Sequence, residues 1–271
     1  MNETSHLKHP PLVDLHCHLL PAVDDGAADG DEALGMARLA TTDGLSSVVA
    51  TVHQTGGKGP IHADEIRRRV ERLRAVLQRQ EVPLQVYPGA EVCVEADIPA
   101  RIRRGDVMTL ADRGRHVLLE LPADSYIPLE GLLSRLRGMG VVGILAHPER
   151  NQGILRDPAV LNELADCGCL FQITAGALLG GFGPRVQNLA RRMTAGRLVH
   201  FVASDAHGAK SRRPLLHVAF DWVTSAAGHQ FSVDLFCRNP AKVIAGEHVD
   251  QRSGKTKQFG FIRRFRGRKA G

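Results

Sequence analysis

No apolar run in this sequence approaches the roughly 18 residues of a membrane-spanning helix, and residues 1–12 (MNETSHLKHPPL) lack the apolar core of a secretory signal. A soluble, cytoplasmic protein is expected. Zinc-type C-x-x-C spacing is also missing. The five cysteines, Cys17, Cys93, Cys167, Cys169 and Cys237, are odd in number, so the reading is buried free thiols rather than a disulfide framework or a structural zinc site. None has arginine six residues later, where Val23, Pro99, Ile173, Ala175 and Val243 stand. That argues against a thiolate nucleophile working with a phosphate-loop arginine, and Cys17 is expected to turn into the core. No glycine-rich dinucleotide fingerprint follows the first strand and no phosphate-loop lysine motif occurs, which weakens an open doubly wound sheet. No internal repeat is evident.

Charge is unevenly spread. The chain carries +6, yet residues 251–271 hold eight basic side chains and no acidic one, which leaves residues 1–250 at −2. The expected organisation is one domain over residues 1–250 and a basic, flexible tail over residues 251–271. Phe259, Phe261 and Phe265 lie among the tail arginines, a pattern suited to anionic lipid, nucleic acid or an acidic partner. A merely solubilising terminus is the simpler reading.

Residues 12–15, 47–51, 84–87, 117–121, 141–146, 170–173 and 199–203 read as seven short apolar strands. Helical patterns fall over 31–43, 63–80, 129–139, 159–167, 184–195, 215–227 and 240–245. In the first helix Leu34, Ala37 and Leu39 are expected inward; in the second, Ile66, Val70, Leu73 and Leu77 make an apolar stripe. Strands alternating with helices give a parallel α/β sheet, and seven such units in a 271-residue chain favour a closed or nearly closed barrel.

The chemistry gathers at strand ends. In residues 13–26 (VDLHCHLLPAVDDG), His16 and His18 alternate on a strand and share one face, where two neutral imidazoles can clamp a metal. His53 follows the second strand, Glu91 the third, His147 the fifth, and Asp205 with His207 the seventh; Glu120 lies in the fourth, and Asp25 is a ninth candidate. A parallel barrel opens all these ends on one face. Nine donors exceed the roughly four that one tetrahedral ion takes, so two or three ions are expected. Mixed His/Asp/Glu ligands suit manganese, iron or zinc better than magnesium or calcium. Paired ions activate water and steady a leaving oxygen, which points to phosphate-ester hydrolysis. Arg150 near His147, and Arg212 or Arg213 after His207, offer planar cationic forks matched to phosphate oxygens.

The motifs DLHCHLLPAVDDG, PGAE, AHPERN, QITAGALLGGFG and ASDAH, in that order between residues 12 and 245, resemble those of the PHP (polymerase and histidinol phosphatase) superfamily. They are closest to its bacterial protein-tyrosine phosphatases of capsular and exopolysaccharide operons. The resemblance implies a distorted (β/α)7 TIM-like barrel and a trinuclear site with manganese as the usual ion. It also implies dephosphorylation of the tyrosine-rich tail of a bacterial tyrosine autokinase. By motif position the implied ligands are His16, His18, Asp25, His53, Glu91, Glu120, His147, Asp205 and His207, with Arg150 and Arg212 holding phosphate; Asp24 becomes a loop group behind the ligands. One departure stands out: the family often has a second histidine after the one that ends the second strand, where this chain has Gln54. A proton donor or substrate contact from that position would be missing. A small-molecule ester such as histidinol phosphate is the alternative substrate. Oligomeric state is left open, a homo-oligomer included.

Overall fold

Each apolar run becomes one strand of a single parallel sheet: β1 Leu12–Cys17, β2 Leu45–His53, β3 Gln85–Cys93, β4 His116–Glu120, β5 Val142–Ala146, β6 Leu170–Thr174 and β7 Phe201–Ala203, hydrogen-bonded in sequence order. The computed structural model describes residues 10–54 and 61–250; the basic tail lies outside the described residues. The helices are α1 Gly30–Thr42, α2 Ala63–Arg79, α3 Ile98–Arg104, α4 Glu130–Gly138, α5 Gln152–Arg156, α6 Val160–Asp166, α7 Ala175–Leu179, α8 Pro184–Ala195, α9 His217–Ala227, α10 His229–Val233 and α11 Asn239–Ala245. The result is the expected nearly closed, TIM-like α/β barrel.

Helix α2 buries the expected stripe of Ile66, Val70, Leu73 and Leu77. Helix α1 starts at Asp29, whose side chain accepts from the Glu32 amide at 2.9 Å, a cap that satisfies an otherwise unpaired donor. Its inward face is Ala33, Met36, Ala37 and Ala40, not Leu34 and Leu39, which stay half-buried. Small alanines facing the sheet let this helix pack closely, and the leucines flank the contact.

Two cores result. One lies between sheet and helices. The other fills the barrel with Val13, Leu15, Val49, Leu118, Ile144, Leu170 and Phe201, joined by Val243, Ile244 and Val249 from the C-terminal segment. Side chains alternate along a strand, so the next inward positions are Thr51 and His53 on β2, Glu91 on β3, Glu120 on β4, and Gln172 and Thr174 on β6. The barrel is thus apolar below and polar above.

Strand β1 reaches that arrangement through a bulge. Asp14 pairs with Val48 but Cys17 with Ala50, three steps against two, and the extra residue shifts the alternation by one. Val13 and Leu15 therefore face the barrel interior, His16 and His18 face it higher up, and Cys17 joins the outer core. The Thr51 hydroxyl accepts from the Cys17 amide at 3.0 Å, taking the place of a ladder bond.

Closure between β1 and β7 is sparse. The His18 amide donates to the Ala206 carbonyl and the Asp205 amide to the His16 carbonyl, both at 2.8 Å. A buried carboxylate completes the seam: Asp14 accepts from the Ser204 amide at 3.0 Å, the Ser204 hydroxyl at 2.5 Å and the His16 amide at 3.2 Å. Burial pushes the Asp14 carboxyl up to about 6, against the opposing pull of the Ser204 donors.

Strand β3 runs further than expected, through Pro88 and Gly89 to Cys93, with Pro88 beside Ala50 and Gly89 beside Thr51. A Cβ at Gly89 would lie 2.4 Å from Val49 Cγ1, so only glycine fits there. Glu91 accordingly sits inside the strand rather than after it.

Candidate metal centre

At the carboxyl end of the barrel, the nine expected donors come together. Three overlapping groups form: His18, Asp25, His53 and His207; His16, His18 and Glu91; and His53, Glu91 and Glu120, with one ligand atom per residue and all atoms of a group within 4.8 Å of one another. His18, His53 and Glu91 each belong to two groups, so the groups form one connected centre. His147 joins through Glu91, its Nε2 lying 2.7 Å from Oε1. Asp205 Oδ1 lies 3.5 Å from His16 Nε2 and 3.7 Å from His18 Nε2.

The strand register explains this convergence. His53 pairs with Glu91, and Cys93 with Glu120, which sets one imidazole and two carboxylates from three adjacent strands beside His16 and His18. His147 and Asp205 follow their strands in left-handed backbone conformations, with φ of 30° and 51°, and Arg212 adopts φ 45°. Such conformations are costly for residues with a Cβ and cluster at functional sites.

Behind the ligands stand two acceptors. His16 Nδ1 is 2.9 Å from Gln172 Oε1, and His18 Nδ1 is 2.8 Å from Asp24 Oδ2. Each acceptor requires a proton on Nδ1 and leaves Nε2 facing the centre, the tautomer a metal ligand needs. Asp24 also accepts from the amides of His53 and Gly26, at 3.0 and 2.9 Å, so it holds two ligands and the start of the Asp25 loop. The sequence motif places Asp24 as a loop group behind the ligands but gives Gln172 no role, because an amide does not announce itself as a partner of a histidine 156 residues away.

Electrostatics sharpen the picture. Burial alone would disfavour a charged His16, but Glu91 and Asp205 raise it to about 9; for His18 burial is outweighed by Asp24 and Glu91, which raise it to about 10. His207 goes the other way, pushed down to about 4 by burial and by His18. Burial also disfavours charge on Glu91 and Asp205, yet the histidines around them hold both carboxyls well below the usual range. The centre is a dense anionic cage that attracts positive charge.

Metal ions fit this donor set. Donors bound to one ion at about 2.1 Å stand roughly 3–3.4 Å apart in tetrahedral or octahedral shells. Here the facing pairs His16 Nε2–Glu91 Oε2, His53 Nδ1–Glu91 Oε2 and His53 Nε2–Asp25 Oδ1 measure 3.2, 3.3 and 3.4 Å.

Arg150 and Arg212 converge on the other oxygen of Asp205: Arg150 Nη1 contacts Oδ2, and Arg212 Nη2 lies 2.6 Å from it. Of the two adjacent exposed arginines, it is Arg212 whose guanidinium reaches Asp205. Glu149, next to Arg150 in the chain, is turned away and accepts from the Thr174 amide at 2.8 Å. Gln54 does not face the centre. Its buried amide donates to the carbonyls of Ile61 and Asp106 and accepts from the Met108 amide, so it ties the wall together.

Known proteins share this fold. The family described as Capsular polysaccharide synthesis, CpsB/CapC matches residues 12–245. The chain is 36% identical over 203 residues to the tyrosine-protein phosphatase YwqE of Bacillus subtilis (strain 168), covering 74% of this chain and 79% of that protein. It is 28% identical over 244 residues to the tyrosine-protein phosphatase CpsB of Streptococcus pneumoniae, covering 88% of this chain and all of that one. A crystal structure from work on YwqE and CpsB, described as unique metal-dependent tyrosine phosphatases, superposes with a TM-score of 0.84 at 31% identity, covering 88% of this chain and 96% of that chain. With that fold, that ring of donors and a match spanning nearly the whole described chain, the protein belongs to the CpsB/CapC family of capsular polysaccharide synthesis.

Proposed function

We propose that this protein is a metal-dependent protein-tyrosine phosphatase whose substrate is the phosphotyrosine-bearing tail of a bacterial tyrosine kinase controlling capsular or exopolysaccharide synthesis. One observation carries the reading: three overlapping donor groups lie beside two arginines that converge on one ligand carboxylate, Asp205. The relatives named as tyrosine phosphatases support it.

In this reading His16, His18, Asp25, His53, Glu91, Glu120, His147, Asp205 and His207 hold two or three divalent ions, with manganese the leading candidate and iron or zinc the others. When bound, such ions supply Lewis acidity and water activation for an in-line displacement at phosphorus. The chain's own contribution is positioning. Arg150 and Arg212 direct their N–H groups to phosphate oxygens in the fork geometry that suits such anions. Gln172 and Asp24 accept from the Nδ1–H groups of His16 and His18 and so aim Nε2 of each inward. Strand β1 and its loop carry His16, His18 and Asp25, β2 to β5 carry His53, Glu91, Glu120 and His147, and the segment after β7 carries Asp205 and His207.

Residues 1–250 form the catalytic unit, with the basic tail as a separate element. Among the described residues no helix is long and apolar enough to cross a membrane, which accords with action in the cytoplasm.

The test is a side-by-side assay of metal-loaded protein on a phosphotyrosine peptide and on histidinol phosphate. Preferential hydrolysis of the peptide, lost in Asp205→Asn, is expected. Preference for histidinol phosphate would replace the protein substrate with a small molecule, and full activity in protein stripped of metal would end the metal-dependent reading.

A further inference from the structure

The stretch from Gly180 to Gly183 seats the ring of Phe182 on the guanidinium of Arg150. The carbon at the centre of that guanidinium lies 4.6 Å from the ring centroid. The loop joins α7 to α8, and its backbone permits little else. Gly180 ends α7 at φ 95°, and Gly183 precedes α8 at φ 87°, both in the region that glycine enters without a Cβ penalty. The Gly181 amide donates back to the Gly176 carbonyl at 2.9 Å. Gly176 makes room for the ring, since a Cβ there would come within 3.1 Å of Phe182 Cε2. Phe182 itself is half-buried against the outer core, so the ring is braced from behind.

We infer that Phe182 is a positioning residue of the phosphate site, acting through Arg150; the inference rests on the phosphatase reading above. A guanidinium attracts an aromatic ring through its flat face, while its N–H donors project from its edge. The ring therefore restrains the guanidinium of Arg150 from one side while its Nη1 contacts Asp205 on the other. A long side chain that would otherwise sample many rotamers is ordered before phosphate arrives. The Q-I-T-A-G-A-L-L-G-G-F-G run thus contributes twice, with Gln172 behind His16 and Phe182 over Arg150.

Because the ring acts on phosphate through Arg150, its loss should not depend on the leaving group. Phe182→Leu keeps apolar volume and removes the π face. It should weaken binding of inorganic phosphate to the manganese-loaded protein by roughly three- to ten-fold, the size of a partly buried cation–π contact. The same factor should raise KM for an aryl phosphate and an alkyl phosphate alike, with kcat less affected. Phe182→Trp should restore both. In an Arg150→Ala background Phe182→Leu should cause no further loss of phosphate affinity, as expected when two changes act through one contact. Metal content and melting temperature of each variant report folding separately. Wild-type phosphate affinity in Phe182→Leu would overturn the inference, as would a KM increase confined to aryl esters or a full additional loss in the Arg150→Ala background. Those results leave the phosphatase reading standing. A wild-type protein that neither binds phosphate nor hydrolyses any phosphate ester would overturn both.

Discussion

His16 and His18 bring their Nε2 atoms to 3.2 Å from each other, each ring being held at Nδ1 by a different acceptor. Two neutral imidazoles so placed would oppose their lone pairs at close range. The conflict is relieved by a cation, either a proton or a metal ion. Without metal, protons occupy these rings at neutral pH, because both are raised, to about 9 and about 10. Metal binding must displace them. Loading the stripped protein at pH 7.5 should therefore release at least one proton per chain, the one shared between the two facing Nε2 atoms, measurable with a pH indicator in weak buffer. Release of none would mean that both rings were already neutral. The sign for stability follows from the same shifts. A histidine raised above its unfolded value of about 6.5 stabilises the fold fully below that pH. The contribution fades as pH rises through about 9 and 10. Metal-free protein should melt progressively lower over that alkaline range.

Asp24 is expected to matter as much as a ligand. It restrains His18, the backbone of His53 and the Gly26 amide at once. Removing an acceptor behind a ligating histidine typically costs about 10- to 100-fold in metal affinity, and Asp24→Ala should fall in that range by calorimetric titration of stripped protein. Asp24→Asn keeps an acceptor for His18 and should lose less. Equal affinity in wild type and Asp24→Ala would confine Asp24 to the loop.

Asp14 should prove to be a stability residue. Its carboxylate is buried and takes two donors from Ser204 across the seam and one from the His16 amide on its own strand. Asp14→Ala leaves those donors unpaired, and a cost of at least about 2 kcal/mol is expected in denaturant titrations, since each buried donor left without a partner costs about 1–3 kcal/mol. A cost below about 0.5 kcal/mol, the scale of an ordinary surface change, would show that the seam is held elsewhere.

Thiol chemistry should be absent. Cys17 is fully buried, and burial together with the Asp14 charge pushes its thiol well above the usual range. Prolonged iodoacetamide treatment of the folded, metal-loaded protein should leave its phosphatase rate unchanged. Rapid inactivation that tracks alkylation of Cys17 would reopen a covalent mechanism.

The ligand ring was readable in sequence because it obeys a simple rule: strands end where apolar residues give way to histidines and carboxylates. That same rule misplaced strand ends. Strand β1 continues through His16 and Cys17, and β3 passes Pro88 to reach Glu91 and Cys93, because an inward-facing ligand satisfies a barrel strand as well as a leucine does. The five-residue helices α5, α7 and α10 are too short to establish a period of 3.6. The bulge in β1 was also hidden, since the sequence pattern records which side chains alternate but not where an extra residue enters. The partners that aim the ligands, Gln172 for His16 and Ser204 for Asp14, are contacts across 156 and 190 residues. Only the closed barrel brings them together.

The sparse seam between β1 and β7 has a kinetic meaning. His16 and Asp205 are joined by a backbone hydrogen bond across that seam, and both belong to the same donor cluster. Opening the barrel there would separate ligands of one centre in a single motion. Exchange of bound metal should then be timed by breathing of the barrel rather than by release of ligands one by one. Weakening the Asp14 staple should accelerate isotope exchange of the metal even in protein whose equilibrium affinity is little changed.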